Sequence, residues 1–332
     1  HKNYWYLLIL NFPILFIFYT YAYFINPLLK LSRTKYSDYT IDNDILSEQG
    51  VRLIQFSFDA VSDIHLDFYA SINHTEHEMK KQIQQLITNI LPSQPQEILV
   101  IAGDLGHDNH QNLFFLKELK TIYSTILFVA GNHDYYLISD SIRQKYHNDS
   151  KLRINEMKAF VQTIPNVHFL EGNIIEINGV RFGGTGMWYD FQFSIQHYNC
   201  SYDSVFSIWK KTMNDSRRIS NLGSFYEREY FFEQKKKLDA IISELDVIIT
   251  HVGPYWKQTA PLLHHLFEKH IPSFYFFDAT EYAPLIHNKV WIHGHSYLRQ
   301  SYTFNRCRII NPALGYPFEK DDRKIITVHL ET

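Results

Sequence analysis

The sequence predicts an α/β fold, parallel strands with helices packed outside them, joined by some antiparallel strands. Two observations predict it. First, apolar runs of strand length, Phe58 to Val61, Ile98 to Ala102 and Ile126 to Ala130, alternate with helical patterns, which is the rhythm of strand-helix-strand units. Second, Asn178-Gly179 sits between Ile174 to Ile177 and Val180 to Phe182, a two-residue hairpin signal that brings antiparallel strands into the middle of the chain.

The elements follow in order. Residues 3–29 carry no charged side chain, and Leu7 to Ile25 is long enough to cross a bilayer, with Tyr4, Trp5 and Tyr6 at one end and Tyr19, Tyr21 and Tyr23 toward the other. Such an apolar helix with aromatic ends reads as a membrane anchor over residues 1–30, and the polar, aperiodic residues 31–50 as a linker. Lys30, Arg33 and Lys35 outnumber Lys2, a bias that favours a cytoplasmic catalytic domain. Beyond the first strand, Thr75 and Glu78 have capping-box spacing, and Met79, Ile83, Leu86, Ile87, Ile90 and Leu91 recur on one face, which predicts a helix over 75–91 with a core-facing stripe. A second helix is expected around 111–122. Residues 227–245 predict an amphipathic helix through Phe231, Leu238, Ile241, Ile242 and Leu245. Between hairpin and helix, residues 190–230 are aromatic and mixed in charge. Lys210, Lys211, Arg217 and Arg218 there either form a lid offering cations to a phosphate or cover a solvated helical face, and the second is the commoner use of charge.

Five polar islands stand directly behind five strand-like runs: Asp63-Ile64-His65, Gly103-Asp104, Gly131 to Asp134, Thr250-His251 and His293 to His295. Strand ends are where α/β folds build sites. Two cations about 3.5–4 Å apart require a bridging carboxylate together with imidazole and carbonyl ligands that leave positions open. Asp104 is the natural bridge, Asp63 and His65 complete one ion, and Asn132, His251 and His295 complete the other. His133 is then left to protonate a departing alkoxide. Asp134 either orients His133 or accepts from backbone donors, with Asp108 a rival for the orienting role. His107, His110, His264, His265 and His293 are expected to be structural or surface histidines, with His293 standing just behind the ligands.

These islands resemble the calcineurin-like metallophosphoesterase superfamily, and the runs Ser62 to Phe68, Gly131 to Tyr136, Trp291 to His295, Asn311-Pro312 and Gly315 to Pro317 resemble a branch of uncharacterised bacterial phosphoesterases. The resemblance implies a sandwich of two mixed sheets flanked by helices over residues 51–332. It also implies hydrolysis of phosphomonoesters or phosphodiesters by a dinuclear centre, with metal-bound hydroxide as nucleophile. The mixed N/O ligand set suits Mn2+, Fe2+/Fe3+ or Zn2+ without choosing among them. Residues 3–29 add the alternative of an anchored hydrolase of lipid-linked or nucleotide-sugar phosphoesters. One departure stands out: where the family pattern closes with a second histidine, this chain has Tyr297. The expectation is a phenol pointing away, leaving Asp63, His65 and Asp104 on the first ion. The alternative is a phenolate ligand favouring trivalent iron, and a more radical reading makes the chain a non-catalytic binding module on a decayed scaffold.

Composition sets the outer bounds. With 332 residues and 45% hydrophobic content the chain can bury a sizeable core. A net charge of −3 gives no basic footprint for a dedicated nucleic-acid binder. The two cysteines, Cys200 and Cys307, make no disulfide framework.

Overall fold

A computed structural model of the chain describes residues 56–70, 75–256, 270–317 and 323–330. The expected anchor over 1–30, the linker over 31–50, His264 and His265 lie outside the described residues. Among the described residues no helix is long and apolar enough to cross a membrane.

Ile98 to Ala102 shows how the sequence builds the layers. Every residue of this strand, β2, is buried, and alternate side chains serve different cores. Leu99 and Ile101 face helices, whereas Ile98, Val100 and Ala102 face a second sheet. A strand covered on both faces needs an unbroken apolar run, and parallel strands are the ones so covered. Around β2 the first sheet has the order β11-β1-β2-β3-β4, with β1 Phe56–Val61, β3 Thr125–Val129, β4 Val167–Phe169 and β11 Ile326–Leu330. Its members are parallel except for β11, which runs antiparallel to β1. The second sheet has the order β5-β6-β7-β8-β10-β9, from β5 Asn173–Ile177, β6 Val180–Gly184, β7 Val247–Ile249, β8 Val290–Ile292, β9 Gln300–Phe304 and β10 Cys307–Asn311. There β6, β7, β8 and β10 are parallel and the two edge pairs antiparallel. The fold is therefore a sandwich of two mixed sheets, with Phe58, Val100, Leu127, Phe182, Val247, Ile292 and Val328 between them.

Local signals explain the connections. Asn178 and Gly179 both have positive φ, 51° and 82°, as a tight hairpin turn between β5 and β6 requires. Helix α1, Glu76–Ile90, begins with the capping box between Thr75 and Glu78 and buries Ile83, Leu86, Ile87 and Ile90. Helix α2, Asn109–Leu119, is capped by Asp108, whose carboxylate accepts from the amides of His110 and Gln111. That engagement removes Asp108 from the orienting role. After α3, Asp140–Lys145, helix α4, Ser150–Gln162, packs with α1 and α2 against the first sheet.

The 190–230 segment forms α5 Gln192–Tyr198, α6 Tyr202–Thr212 and α7 Asp215–Arg218, and α8, Glu229–Asp239, follows it. Val205, Phe206 and Trp209 of α6 and Phe231 and Leu238 of α8 join one core beside the second sheet. Three cations of the segment are engaged by protein groups. Arg218 donates to the Ile138 carbonyl at 2.7 Å, Arg217 to Asn214 at 2.9 Å, and Lys210 stands over the Phe206 ring.

Candidate metal centre

Three glycines make room for the centre. A Cβ on Gly103 would stand 2.4 Å from His251 Nδ1, one on Gly131 would stand 2.1 Å from an Asp104 oxygen, and one on Gly294 would stand 2.6 Å from an Asp63 oxygen. Around them Asp63, His65, Asp104, His295 and Tyr297 all have φ between 49° and 69°. Non-glycine residues in the left-handed region cost energy and collect at functional sites.

The two strand-end loops that carry Asp63 and Asp104 are zipped together, with the amides of Asp63 and Ile64 donating to the carbonyls of Gly103 and Asp104. Asp104 is fully buried. Its Oδ1 accepts from the His133 amide at 2.9 Å. Its Oδ2 has no directed hydrogen bond, yet His251 Nε2 stands 3.3 Å from it and His65 Nε2 3.9 Å. Two groups of ligand-type atoms, each within 4.8 Å of one another, meet there: His65, Asp104 and His133 on one side, Asp104, His251 and His295 on the other. Asn132 Oδ1 joins the second group, 3.1 Å from His251 Nε2. Asp63 lies behind, its two carboxylate oxygens 3.0 and 3.1 Å from the His295 amide and one of them 2.6 Å from Ser62 Oγ.

The histidines are held from outside. His251 Nδ1 meets the Ala102 carbonyl at 2.8 Å, leaving Nε2 inward; His295 Nε2 meets the Phe274 carbonyl at 2.9 Å, leaving Nδ1 inward. Such partners fix which nitrogen can bind. His293 is buried, and its Nδ1 stands 3.1 Å from the Gly294 carbonyl. Burial lowers the His65 and His295 pKa values to about 4 and about 3, so both rings are neutral and their lone pairs available. Burial raises Asp63 to about 7, with Asp104 adding to the rise. Burial also disfavours a charged His251, but Asp104 and Asp63 outweigh it and lift that imidazole to about 9. A buried carboxylate oxygen facing three imidazoles, two of them neutral and the third held charged by the carboxylates beside it, is a donor set that fits a cation, which would take the place of the His251 proton.

Asp134 does not orient His133. Its carboxylate accepts from the amides of Gly131, Asp104 and Leu105 at 2.8–3.1 Å, which shapes the two loops. The residue that meets the His133 ring is His107, whose Nε2 lies 2.9 Å from His133 Nδ1, and Asp67 stands behind it, 2.9 Å from His107 Nδ1. His107 was expected to be structural because only the folded chain brings it to His133. Its place three residues after Asp104, on a loop already carrying a ligand, was the available signal. Burial would raise the Asp67 pKa, but the His107 imidazole outweighs that and holds the carboxylate well below its ordinary range. Burial lowers the His133 pKa, opposed by Asp104.

Asp215 is the second residue that sequence reasoning missed. It is the first residue of α7, fully buried, and accepts from Asn132 Nδ2 at 2.9 Å, Tyr136 Oη at 2.5 Å and Tyr189 Oη at 2.7 Å. By taking the Asn132 amide nitrogen it turns Oδ1 toward His251. Tyr297 also departs from expectation. Its phenol does not point away: the hydroxyl stands 3.0 Å from His65 Nε2 and 3.1 Å from Tyr316 Oη.

Arg153 of α4 ties the loops together from beneath, donating to the carbonyls of His133 at 2.8 Å, Tyr136 at 3.2 Å and Gly106 at 2.6 Å. Hydrogen bonds from a charged group are each worth about 1.5–3 kcal/mol. Arg153→Met is therefore expected to destabilise the protein by about 3 kcal/mol or more in urea unfolding. A loss below about 1 kcal/mol would show that the loops hold their shape without it.

The fold and site together define a two-sheet α/β protein with a carboxylate–imidazole centre at its strand ends. The chain belongs to the calcineurin-like phosphoesterase family, whose model matches residues 56–298. An uncharacterized protein of Acanthamoeba polyphaga mimivirus is 23% identical over 281 residues, covering 79% of this chain and 92% of that one. Among solved structures, the phosphopantetheinyl hydrolase of Mycobacterium tuberculosis superposes with a TM-score of 0.64 at 16% identity, covering 81% of this chain and 95% of that one, which is a likeness of fold.

Proposed function

We propose that this chain is a metal-dependent hydrolase of phosphomonoesters or phosphodiesters. The observation that carries the reading is one buried carboxylate, Asp104, shared by two groups of imidazoles. Two divalent cations, when bound, supply charge stabilisation for the phosphoryl oxygens and a nucleophile at neutral pH. Asp104 would serve both, Asp63 and His65 one, and Asn132, His251 and His295 the other.

His133 is the proposed general acid. Asp67 can only accept, so in a neutral His107 ring Nδ1 donates to it and Nε2 is the acceptor. His133 must then donate from Nδ1, which leaves its Nε2 facing the cluster. In the doubly protonated ring, Nε2 gives its proton to the leaving oxygen. An incoming phosphate adds the negative charge that favours this protonated form. His107 and Asp67 act as positioning residues through that chain.

The test is turnover of a chromogenic phosphodiester and a chromogenic monoester by the full chain loaded in turn with Mn2+, Zn2+ and iron. Metal-dependent turnover abolished by a chelator is expected. Stoichiometric metal with no turnover of either ester would overturn the hydrolase in favour of a binding module. Asp215 supplies a second check. Asp215→Ala frees the Asn132 amide and is expected to weaken Mn2+ binding by about 10–100-fold, the usual cost of removing a group that orients a ligand. Unchanged affinity in a calorimetric titration would show that α7 contributes packing alone.

A further inference from the structure

We infer that Phe68 and Tyr316 form an aromatic platform beside the metal centre, and that the group it receives is a planar ring, an aryl group or a nucleobase, carried on the leaving oxygen of the ester. The inference rests on the hydrolase reading above and deepens it by naming a class of substrate.

The platform is the outer end of a series of rings that begins at a candidate ligand. Tyr316 stacks on His65 with centroids 4.8 Å apart and planes at 15°. Phe68 meets Tyr316 edge to face, at 4.7 Å and 68°. His65 and Tyr316 are buried, whereas Phe68 is 50% exposed. The series therefore ends on a ring that the protein leaves half uncovered. A single exposed apolar side chain is ordinary on a surface, but this one follows His65 by three positions and shares its ring contacts.

Position ties the platform to the chemistry. The His133 ring stands 4.5 Å from His65 and the Phe68 ring 6.3 Å from it, so Phe68 lies no further from His133 than those two steps together. Both residues reach solvent, unlike His65 between them. An ester whose leaving oxygen meets His133 Nε2 thus brings a ring one or two bonds beyond that oxygen within reach of Phe68.

The backbone holds Phe68 there in advance. Phe68 closes the single turn Leu66–Phe68; its amide donates to the His65 carbonyl at 3.0 Å, and the Leu66 amide to the Leu105 carbonyl at 2.8 Å. Next to it Asp67 is held at both carboxylate oxygens by His107, through the amide at 3.2 Å and Nδ1 at 2.9 Å. A surface fixed before binding costs little ordering when a ligand arrives. The two surfaces offered are aromatic, and aromatic pairs gain from their quadrupoles beyond the area they bury. A flexible aliphatic chain gains the area alone, so the platform favours a flat ring.

The test compares benzyl with cyclohexylmethyl esters, as phosphomonoesters and as methyl phosphodiesters, on the full chain loaded with Mn2+. The two groups are alike in size and their alcohols alike in acidity. The wild type is expected to favour benzyl in kcat/KM by about 3–10-fold, the gain of a ring pair beyond its area. Phe68→Leu should bring that ratio to about one, Phe68→Tyr should keep it, and Phe232→Leu, which removes a similarly exposed ring from α8, should leave it as it was. A ratio cancels any general loss of activity in a variant, and Phe68→Met takes the place of Phe68→Leu if that variant fails to fold. Binding of benzyl and cyclohexylmethyl phosphonates, which lack the leaving oxygen, is measured alongside by calorimetry and should show the same preference. A wild-type ratio of about one, or a preference that survives in Phe68→Leu, would overturn the platform and leave the hydrolase standing. Ring-selective binding of the phosphonates without turnover of any ester would overturn the hydrolase and keep the platform. Neither binding nor turnover would overturn both.

Discussion

Asp104→Asn is expected to lose both cations, with metal affinity falling by more than about 100-fold, beyond the 10–100-fold cost of outer partners, and turnover falling to background. One carboxylate oxygen lies within reach of both imidazole groups, and an amide nitrogen in its place would present a donor to the cations. The variant should nevertheless fold. Asparagine accepts the left-handed conformation that residue 104 adopts at φ 59°, and its remaining oxygen can still accept from the His133 amide. Losing the charge also relieves the repulsion that raises Asp63. Metal analysis alongside a thermal melt separates the outcomes: two equivalents retained with normal turnover would remove Asp104 from the centre.

His133→Ala is expected to slow hydrolysis of esters with poor leaving groups by about 10²–10⁴-fold, the contribution typical of a positioned general acid. Nitrophenyl esters should lose far less, because an activated leaving group needs little protonation. Metal content should stay near that of the wild type, since both groups retain Asp104 and their remaining ligands. His107→Ala should reproduce the same leaving-group dependence more weakly, as it removes only the partner at 2.9 Å that holds the His133 ring. Equal losses on both classes of ester, or loss of metal, would exclude the acid role for His133.

The parts of this molecule that sequence could reveal are those determined within a few residues. The helix ending at Ile90 is readable from the Thr75–Glu78 box and its apolar stripe. The β5–β6 hairpin is readable from Asn178-Gly179, and the strands from runs such as Ile98 to Ala102. The islands were legible because each metal-type residue follows a strand end directly, and a parallel sheet gathers its strand ends at one edge.

What the sequence alone determined, then, is the family, the two-sheet class and the strand-end islands from which the candidate ligands come, because period, capping and strand-end position are local properties of a chain. What only the tertiary structure decided is which side chain orients which. Asp67 reaches His133 through His107, which lies 40 positions further along the chain, and Asp215 meets Asn132 across a separation of 83. Tyr297 meets His65 across 232, its phenol directed inward by a backbone turn that no pattern of residue types encodes. Such pairings depend on loop conformation and on burial, which decide where a carboxylate finds its hydrogen bonds. They are therefore properties of the packed molecule, legible only once the two sheets and the α7 insert have been brought together around the site.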